Sequence, residues 1–279
     1  GGIDADVIVA NFGEVAGNDG NNIVIGDSGY IDWTAGESTG RIYASSTPIA
    51  GSLPGDDGDD GDPTDIDRIF STEPDDGGTD TITVGDSDFI VIGGEDGEII
   101  DDVQIAGMTI LAPVTILSGS TGDVVLAGQG NNLVFGDSGT IAAAKVDKPG
   151  GNFSSQPMTL GLVTTISPTT GGNDTITTGL GKDIVLGGLG SDVVIANATE
   201  NYDRALTDAA HPRDGDNIVF GDHGTIDWTA VDRTYPFEAG FGLGDDADAS
   251  DIDRISTTNP NDGGNDRIRT GAGYDFIFG

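Results

Sequence analysis

A repeat of about 93 residues constrains this chain more than any other feature of its sequence. The segment GNNIVIGDSG at 20–29 recurs as GNNLVFGDSG at 130–139 and as GDNIVFGDHG at 215–224. DIDRI at 65–69 recurs at 251–255. Self-similarity at a fixed period is typical of solenoids and other repeat architectures, in which stacked units bury a continuous core.

Pairs of adjacent glycines mark where one repeat unit gives way to the next. Division at these pairs gives three units, residues 1–92, 93–186 and 187–279, which we expect to form one continuous solenoid. The final residues, GYDFIFG, match the KDIVLGG segment that joins the second unit to the third. The match predicts a further unit, either in a longer covalent array or through end-to-end contact with another copy.

A finer period of nine residues occurs within the units. Residues 169–195 read TTGGNDTIT, TGLGKDIVL and GGLGSDVVI, which places Asp174, Asp183 and Asp192 nine residues apart. The glycines permit a crowded or left-handed backbone, and a short strand with an inward apolar residue follows each aspartate. Because two nonapeptides make one coil, Asp174 and Asp192 should lie one above the other on one edge, with Asp183 on the opposite edge.

The nine-residue register extends through the first and third units. It fits 1–9, 17–25, 26–34, 62–70, 75–83 and 84–92 in the first unit, and 187–195, 212–220, 221–229, 248–256, 261–269 and 270–278 in the third. Six nonapeptides predict three coils per unit, with the intervening residues inserted as loops. The second unit departs from this pattern, because it lacks DIDRI and carries Glu98 where aspartate is usual.

Acidic residues far outnumber basic ones, with 48 Asp and Glu against 11 Lys and Arg and a formal net charge of −37. This charge argues against nucleic acid and anionic membranes as partners. Self-repulsion opposes a compact fold unless multivalent cations neutralise the carboxylates. Adaptation to high intracellular salt is the competing explanation, but it would spread acids over the surface, whereas here they recur at fixed spacings. The chain has no cysteine for disulfides or thiolate metal sites.

The nonapeptides GGLGSDVVI and TGLGKDIVL resemble the repeats-in-toxin (RTX, haemolysin-type) calcium-binding repeat, G-G-x-G-x-D-x-U-x. The resemblance implies an all-β fold, a right-handed parallel β-roll or β-helix solenoid with inserted loops, and several bound Ca²⁺ ions. The residues favour calcium independently, because carboxylates and glycine-turn carbonyls are hard oxygen ligands that suit Ca²⁺ better than zinc or copper. Mg²⁺ fits less well, since it prefers to keep its waters.

The candidate calcium ligands are acidic, amide and glycine positions of this register. They are Asp6, Asp80, Asp88, Glu98, Asp123, Asn132, Asp174, Gly179, Gly181, Asp183, Gly188, Gly190, Asp192, Asp253, Asp266 and Asp275. Asp80 and Glu98 are 18 residues apart, as expected of neighbours on one edge, whereas Asp88 is one residue out of register. No catalytic residue and no organic cofactor site is predicted.

Three groups of residues permit two interpretations. Asn22, Asn132 and Asn217 replace aspartate, and each either offers a neutral ligand oxygen or caps a turn. The aspartate of the GDSG and GDHG turns is either a further ligand or a turn residue that hydrogen-bonds the backbone. In the two DIDR segments the second aspartate occupies the ligand position of the register, and the arginine beside it is the alternative partner, as an ion pair.

Several predicted strands are apolar on both faces, as in DIVL, DVVI, NIVF and DFIF. A single sheet exposed to water on one side would alternate apolar and polar residues. Runs such as Ile218-Val219-Phe220 therefore predict a second layer over the outer face. That layer would come from the insertions that carry the tryptophans, or from neighbouring copies of the chain.

These observations favour an extracellular or cell-surface structural protein over an enzyme. We expect an adhesin, matrix or filament component whose partners are calcium and copies of itself, end to end or laterally. The alternative is the calcium-binding secretion module of a larger secreted toxin or hydrolase. His211 and His223, the only histidines, stand in no catalytic motif. No run of 18 apolar residues occurs, so no membrane insertion is expected.

Overall fold

The computed structural model defines the fold of most of the repeat. It describes residues 1–2, 4–11, 20–33, 65–73, 76–95, 122–144, 153, 156–198, 200, 213–228, 231–232, 244–245 and 251–279. The all-β class expected from the sequence is confirmed, since these residues form strands and turns and no α-helix. None of them forms a helix with the length and apolarity needed to span a bilayer.

Two parallel sheets of six strands each face each other across an apolar core, and both extend through all three units. The first sheet contains, in order, β1 (Val7–Ala10), β5 (Thr81–Val84), β7 (Val124–Leu126), β11 (Thr175–Thr178), β13 (Val193–Ala196) and β19 (Arg267–Arg269). The second contains β2 (Asn22–Ile25), β6 (Phe89–Ile92), β8 (Leu133–Phe135), β12 (Ile184–Leu186), β14 (Ile218–Phe220) and β20 (Phe276–Phe278). The chain alternates between these sheets, and each visit adds one parallel strand.

A third sheet is antiparallel and lies on the other side of the second. Its strands, in order, are β18 (Arg254–Thr257), β15 (Gly224–Asp227), β10 (Leu160–Thr165), β9 (Gly139–Ala143), β4 (Arg68–Ser71) and β3 (Gly29–Asp32). Each unit supplies one antiparallel pair to it. A separate pair joins β16 (Val231–Asp232) to β17 (Gly244–Asp245).

The third sheet corrects the register predicted for parts of the first and third units. The segments 26–34, 62–70, 221–229 and 248–256, expected as coils, contain the antiparallel strands β3, β4, β15 and β18. Each unit therefore adds two strands to each parallel sheet instead of three. The GDSG and GDHG turns divert the chain out of the parallel sheets, and pairing with a strand from the same unit satisfies its backbone groups.

Two apolar cores separate the three sheets. Between the first and second sheets, Ile82 and Ile176 pack with Val134 and Val219. The second core lies between the second and third sheets, where side chains from the other face of the second sheet pack against side chains of the third. Its members include Leu133, Phe135, Ile218 and Phe220 from the second sheet and Ile69, Ile141, Val163 and Ile226 from the third.

The inner strands of the second sheet, β6, β8, β12 and β14, are thus buried on both faces, as their continuous apolar runs predict. Val219 faces the first sheet, whereas its neighbours Ile218 and Phe220 face the third. Parallel strands covered on both sides lack the alternation of half-exposed strands for this reason. A second layer over the outer face is present, as predicted, but its source differs: it is the third sheet, formed largely by segments expected as coils and not by the insertions.

Substitution on β9 tests whether the third sheet belongs to the same cooperative structure. Ile141 is fully buried against the second sheet, whereas its neighbour Thr140 is only partly buried. Ile141→Ala should lower the free energy of unfolding by about 2–5 kcal/mol, because it removes buried methyl groups and leaves a cavity. Thr140→Ala is the matched control on the same strand. Urea unfolding of both variants, followed by circular dichroism, should show a much larger loss for Ile141→Ala; equal small losses would mean that the third sheet packs loosely.

Candidate metal centre

Six aspartates form a line across the first sheet, each at the position immediately before a strand. We call this line the aspartate edge; its members are Asp6, Asp80, Asp123, Asp174, Asp192 and Asp266. Along it the backbone N–H of each aspartate donates to Oδ1 of the next, at 2.7–3.0 Å. The predicted stacking of Asp174 on Asp192 is confirmed, and the same contact links all six.

The second carboxylate oxygen on this edge is buried without a hydrogen bond in several of these residues. Oδ2 of Asp80, Asp123 and Asp192 accepts no hydrogen bond, although the three residues are only 0%, 2% and 1% exposed. Burial of a carboxylate oxygen without a donor is unfavourable unless a cation or a proton compensates it. The edge therefore presents a row of oxygens suited to a cation.

Glycine carbonyls complete the surroundings of these oxygens. A Cβ added to Gly187, at the end of β12, would clash with Oδ2 of Asp192 and with the carbonyl oxygen of Gly221. A Cβ on Gly136, at the end of β8, would clash with Oδ2 of Asp174 and lie 2.5 Å from the carbonyl oxygen of Gly187. Carboxylate and carbonyl oxygens thus approach each other where glycine leaves the space open, and this donor set suits Ca²⁺.

The aspartates of the GDSG and GDHG turns lie beside this edge and bind backbone. Asp137 accepts hydrogen bonds from Gly172 N at 2.9 Å and from Leu189 N at 2.5 Å. Asp27 accepts equivalent bonds from the turns at Gly78 and Glu95. The hydrogen-bonding interpretation therefore applies to Asp27 and Asp137. Each accepts hydrogen bonds from two other turns of the chain, and not from its own turn. These aspartates recur in all three units, and this recurrence is the feature of the sequence that indicates a shared structural role.

Burial shifts the acidity of these carboxylates. Desolvation raises the pKa of Asp80 from 3.8 to about 7 and that of Asp27 to about 6. It also raises the pKa of Asp123 and Asp192 well above the ordinary value. For Asp137, burial is again the main cause, and the nearby carboxylates of Asp174 and Asp192 raise its pKa further. Each shift reports the cost of placing uncompensated negative charge at this edge.

The other predicted ligands fall into three places. Asp88, Asn132, Gly179, Gly181, Asp183 and Asp275 lie at the opposite edge, in the turns that lead into the second sheet. Gly188 and Gly190 lie in the turn that leads to Asp192, and both have a positive φ, of 115° and 139°. Asp253 precedes β18 in the third sheet and donates its N–H to the carbonyl of Asp227. Asp253 therefore belongs to neither edge, because its segment is antiparallel.

Two further expectations concern the neighbours of these aspartates. Glu98 lies outside the described residues, and the neighbours of Asp80 on the edge are Asp6 and Asp123. The arginines of the DIDR segments lie opposite other aspartates in the antiparallel pairs: Arg68 opposite Asp32, and Arg254 opposite Asp227. Opposite charges at facing positions stabilise an antiparallel pair.

Among the described residues, no three His, Cys, Asp or Glu side chains group as a metal site by themselves. The reason is geometric, because the carboxylates of the aspartate edge follow one another along a line and do not converge on one point. An ion at this edge would need backbone carbonyls as additional ligands, which the glycines at the ends of the second-sheet strands supply.

Comparison with known proteins finds no relative. No family model matches this sequence, and no curated protein and no solved structure matches it either.

The raised pKa values predict how the protein responds to pH without divalent cations. Between 3.8 and about 7 the folded state holds more protons than the unfolded state at Asp80, so stability should fall as pH rises through this window. In EDTA, Tm should be higher at pH 5 than at pH 8. Asp123→Asn removes one of the shifted carboxyls, so its Tm should depend less on pH. A Tm in EDTA that increases from pH 5 to pH 8 would contradict the raised pKa values of these buried carboxyls.

Proposed function

We propose that this chain is an extracellular, calcium-stabilised structural repeat protein, a component of an adhesin, matrix or filament at the cell surface. Its two parallel sheets would be the walls of a right-handed β-roll related to the RTX repeats, with the third sheet formed by the antiparallel pairs that leave those walls. The observation that carries the proposal is the row of buried, unbonded carboxylate oxygens on the aspartate edge.

Calcium would compensate this edge through two kinds of ligand. Oδ2 of Asp80, Asp123 and Asp192 supplies negative charge, and the carbonyl oxygens of the adjoining glycines supply neutral dipoles. Ca²⁺ accepts six to eight oxygens in irregular geometry, which suits a site assembled from two successive strands. Mg²⁺ demands a near-octahedral shell and retains its waters, so the same oxygens should bind it more weakly.

The coupling of metal to folding follows from where the ligands come from. Asp123 and Asp174 are 51 residues apart in sequence yet adjacent on the edge, so their pairing exists only in the folded chain. A ligand that binds the folded state alone stabilises it, by about 2.7 kcal/mol for one site at 100 times Kd. Outside the cell, where calcium is abundant, this stabilisation would hold the array rigid.

Copies of the chain are the proposed macromolecular partner. The described residues expose Val7 and Val9 on β1, at one end of the first sheet, to 71% and 62%. Phe276 and Ile277 on β20, at the opposite end of the second sheet, are 55% and 51% exposed. Strands at sheet ends with exposed apolar side chains favour pairing with further strands, from a neighbouring repeat unit of the same polypeptide or from another copy.

Removal of calcium tests the proposal. EDTA should lower Tm strongly and reduce the β signal in circular dichroism at pH 8, and excess Ca²⁺ should restore both, because the buried carboxylates are then compensated. Mg²⁺ should restore less. Asp123→Asn should show a smaller gain in Tm on calcium addition than the wild type. Asp4→Asn is the matched control, since Asp4 is exposed, lies near the same edge and is not one of its six members.

Two outcomes would contradict the proposal. An unchanged β signal and Tm after chelation would rule out calcium-dependent stability. Equal responses of Asp123→Asn and Asp4→Asn would show that calcium acts through general surface charge and not through the aspartate edge.

A further inference from the structure

The two edges of the parallel sheets differ in the residues that occupy their equivalent positions. On the edge before the second sheet, the register of the strands aligns Asn22, Phe89, Asn132, Asp183, Asn217 and Asp275. We call this line the amide edge. Between Asn132 and Asp275 amides and carboxylates alternate, so no two carboxylates are neighbours in this line. The aspartate edge, in contrast, has a carboxylate at all six positions.

The hydrogen bonds of Asp183 show what the alternation achieves. Its Oδ1 accepts from the backbone N of Asn132 at 2.9 Å and from Asn132 Nδ2 at 3.0 Å. Its Oδ2 accepts from Thr178 Oγ1 at 2.6 Å. Both oxygens are therefore bonded within the protein, although the residue is 0% exposed. The equally buried Asp192 has no such donor for its Oδ2.

Asn217 continues this pattern one strand further along. Its Oδ1 accepts from the backbone N of Asp183 at 2.9 Å, and its Nδ2 donates to Oδ2 of Asp214 at 2.8 Å. One amide thus supplies an acceptor to the preceding strand and a donor to a buried carboxylate. Asn132 Oδ1 accepts no hydrogen bond, but as a neutral oxygen it adds no charge to the edge.

Glu200, another buried acid near the amide edge, has an arginine side chain beside it. Glu200 is 3% exposed and accepts from Asn197 Nδ2 at 3.2 Å and from Ala272 N at 3.1 Å. Arg213 Nη1 lies 3.5 Å from Glu200 Oε1. Side-chain amides, a hydroxyl and a guanidinium thus supply the donors here that Oδ2 of Asp192 lacks. They offset only part of the cost of burial, which together with the nearby Asp214 carboxylate raises the pKa of Asp183 to about 7.

We infer that calcium ions line only the aspartate edge and that the amide edge closes on its own hydrogen bonds without metal. This inference rests on the proposed calcium binding and narrows it to one side of the protein. Asp88, Asn132, Asp183 and Asp275, expected from the sequence as ligands, then serve as hydrogen-bonding residues of the turns. The neighbouring carboxylates on the aspartate edge repeat at the strand spacing of about 4.8 Å, at which uncompensated like charges repel.

A matched pair of amide substitutions tests this assignment. Asp192→Asn and Asp183→Asn each remove one buried carboxylate, from the aspartate edge and the amide edge respectively, and conserve the shape of the side chain. The number of calcium ions bound per chain is measured for both variants and the wild type by isothermal titration with calcium chloride. Asp192→Asn should bind at least one ion fewer than the wild type, and Asp183→Asn should bind the same number.

The outcomes separate this inference from the proposed function. A loss of ions in Asp183→Asn equal to that in Asp192→Asn would overturn the assignment to one edge while leaving calcium binding intact. A wild type that binds no calcium would instead overturn the proposed function itself. Circular dichroism in excess calcium checks that both variants are folded.

A reverse substitution keeps the test decisive if Asp183→Asn does not fold. Asn217→Asp would place three carboxylates in succession on the amide edge, and this variant should gain at least one bound calcium ion. Its Tm should also depend on calcium more steeply than that of the wild type. An unchanged ion count would show that consecutive carboxylates do not create a site, and would overturn the inference.

Discussion

Repulsion among buried carboxylates is the constraint on which the rest of the structure depends. The parallel pairing of the first sheet brings six aspartates into one line. The Oδ1 atoms of five of them accept from backbone N–H groups, and the Oδ2 atoms of Asp80, Asp123 and Asp192 are buried without donors. The same contacts that fix the register of the strands thus concentrate negative charge. Without compensation this edge would oppose folding; with calcium it would hold distant parts of the chain together.

The three-layer arrangement makes such a thin structure possible. Each parallel strand is only three or four residues long, so the core between the first and second sheets is narrow. The third sheet supplies a second core on the outer face of the second sheet, with Ile69, Ile141 and Ile226 fully buried. Buried apolar side chains therefore stabilise the middle of the molecule, while hydrogen bonds to aspartate and asparagine side chains connect the strands along its two edges.

The sequence predicts the fold and the site best where the nonapeptides follow one another without interruption. The resemblance to the RTX repeat implies the all-β class, and the spacing of 18 residues predicts the stacking of Asp174 on Asp192. The pairing of Asp80 with Asp123 is 43 residues distant, because an insertion separates them, and local spacing cannot reveal it. The spacing instead suggests Glu98, which lies outside the described residues.

The antiparallel third sheet was missed for a different reason. GDSGYID and DIDRI fit the nine-residue register by composition, but their partners are each other: Ile31 lies opposite Ile69, and Asp32 opposite Arg68. A nonapeptide pattern predicts an aspartate followed by a short apolar strand, and a strand of an antiparallel pair satisfies the same pattern. The spacing does show that Asp88 is one residue out of register, and the strand pairing accordingly places Phe89 at the ladder position on the amide edge.

The location of bound ions tests the central claim most directly. In a crystal of the protein grown with calcium, anomalous difference maps should show peaks along the aspartate edge, about 2.3–2.6 Å from carboxylate and glycine carbonyl oxygens. The amide edge should show none. A folded protein whose aspartate edge carries no peak, with its carboxylates compensated by protons or by protein groups, would contradict the claim that calcium completes this fold.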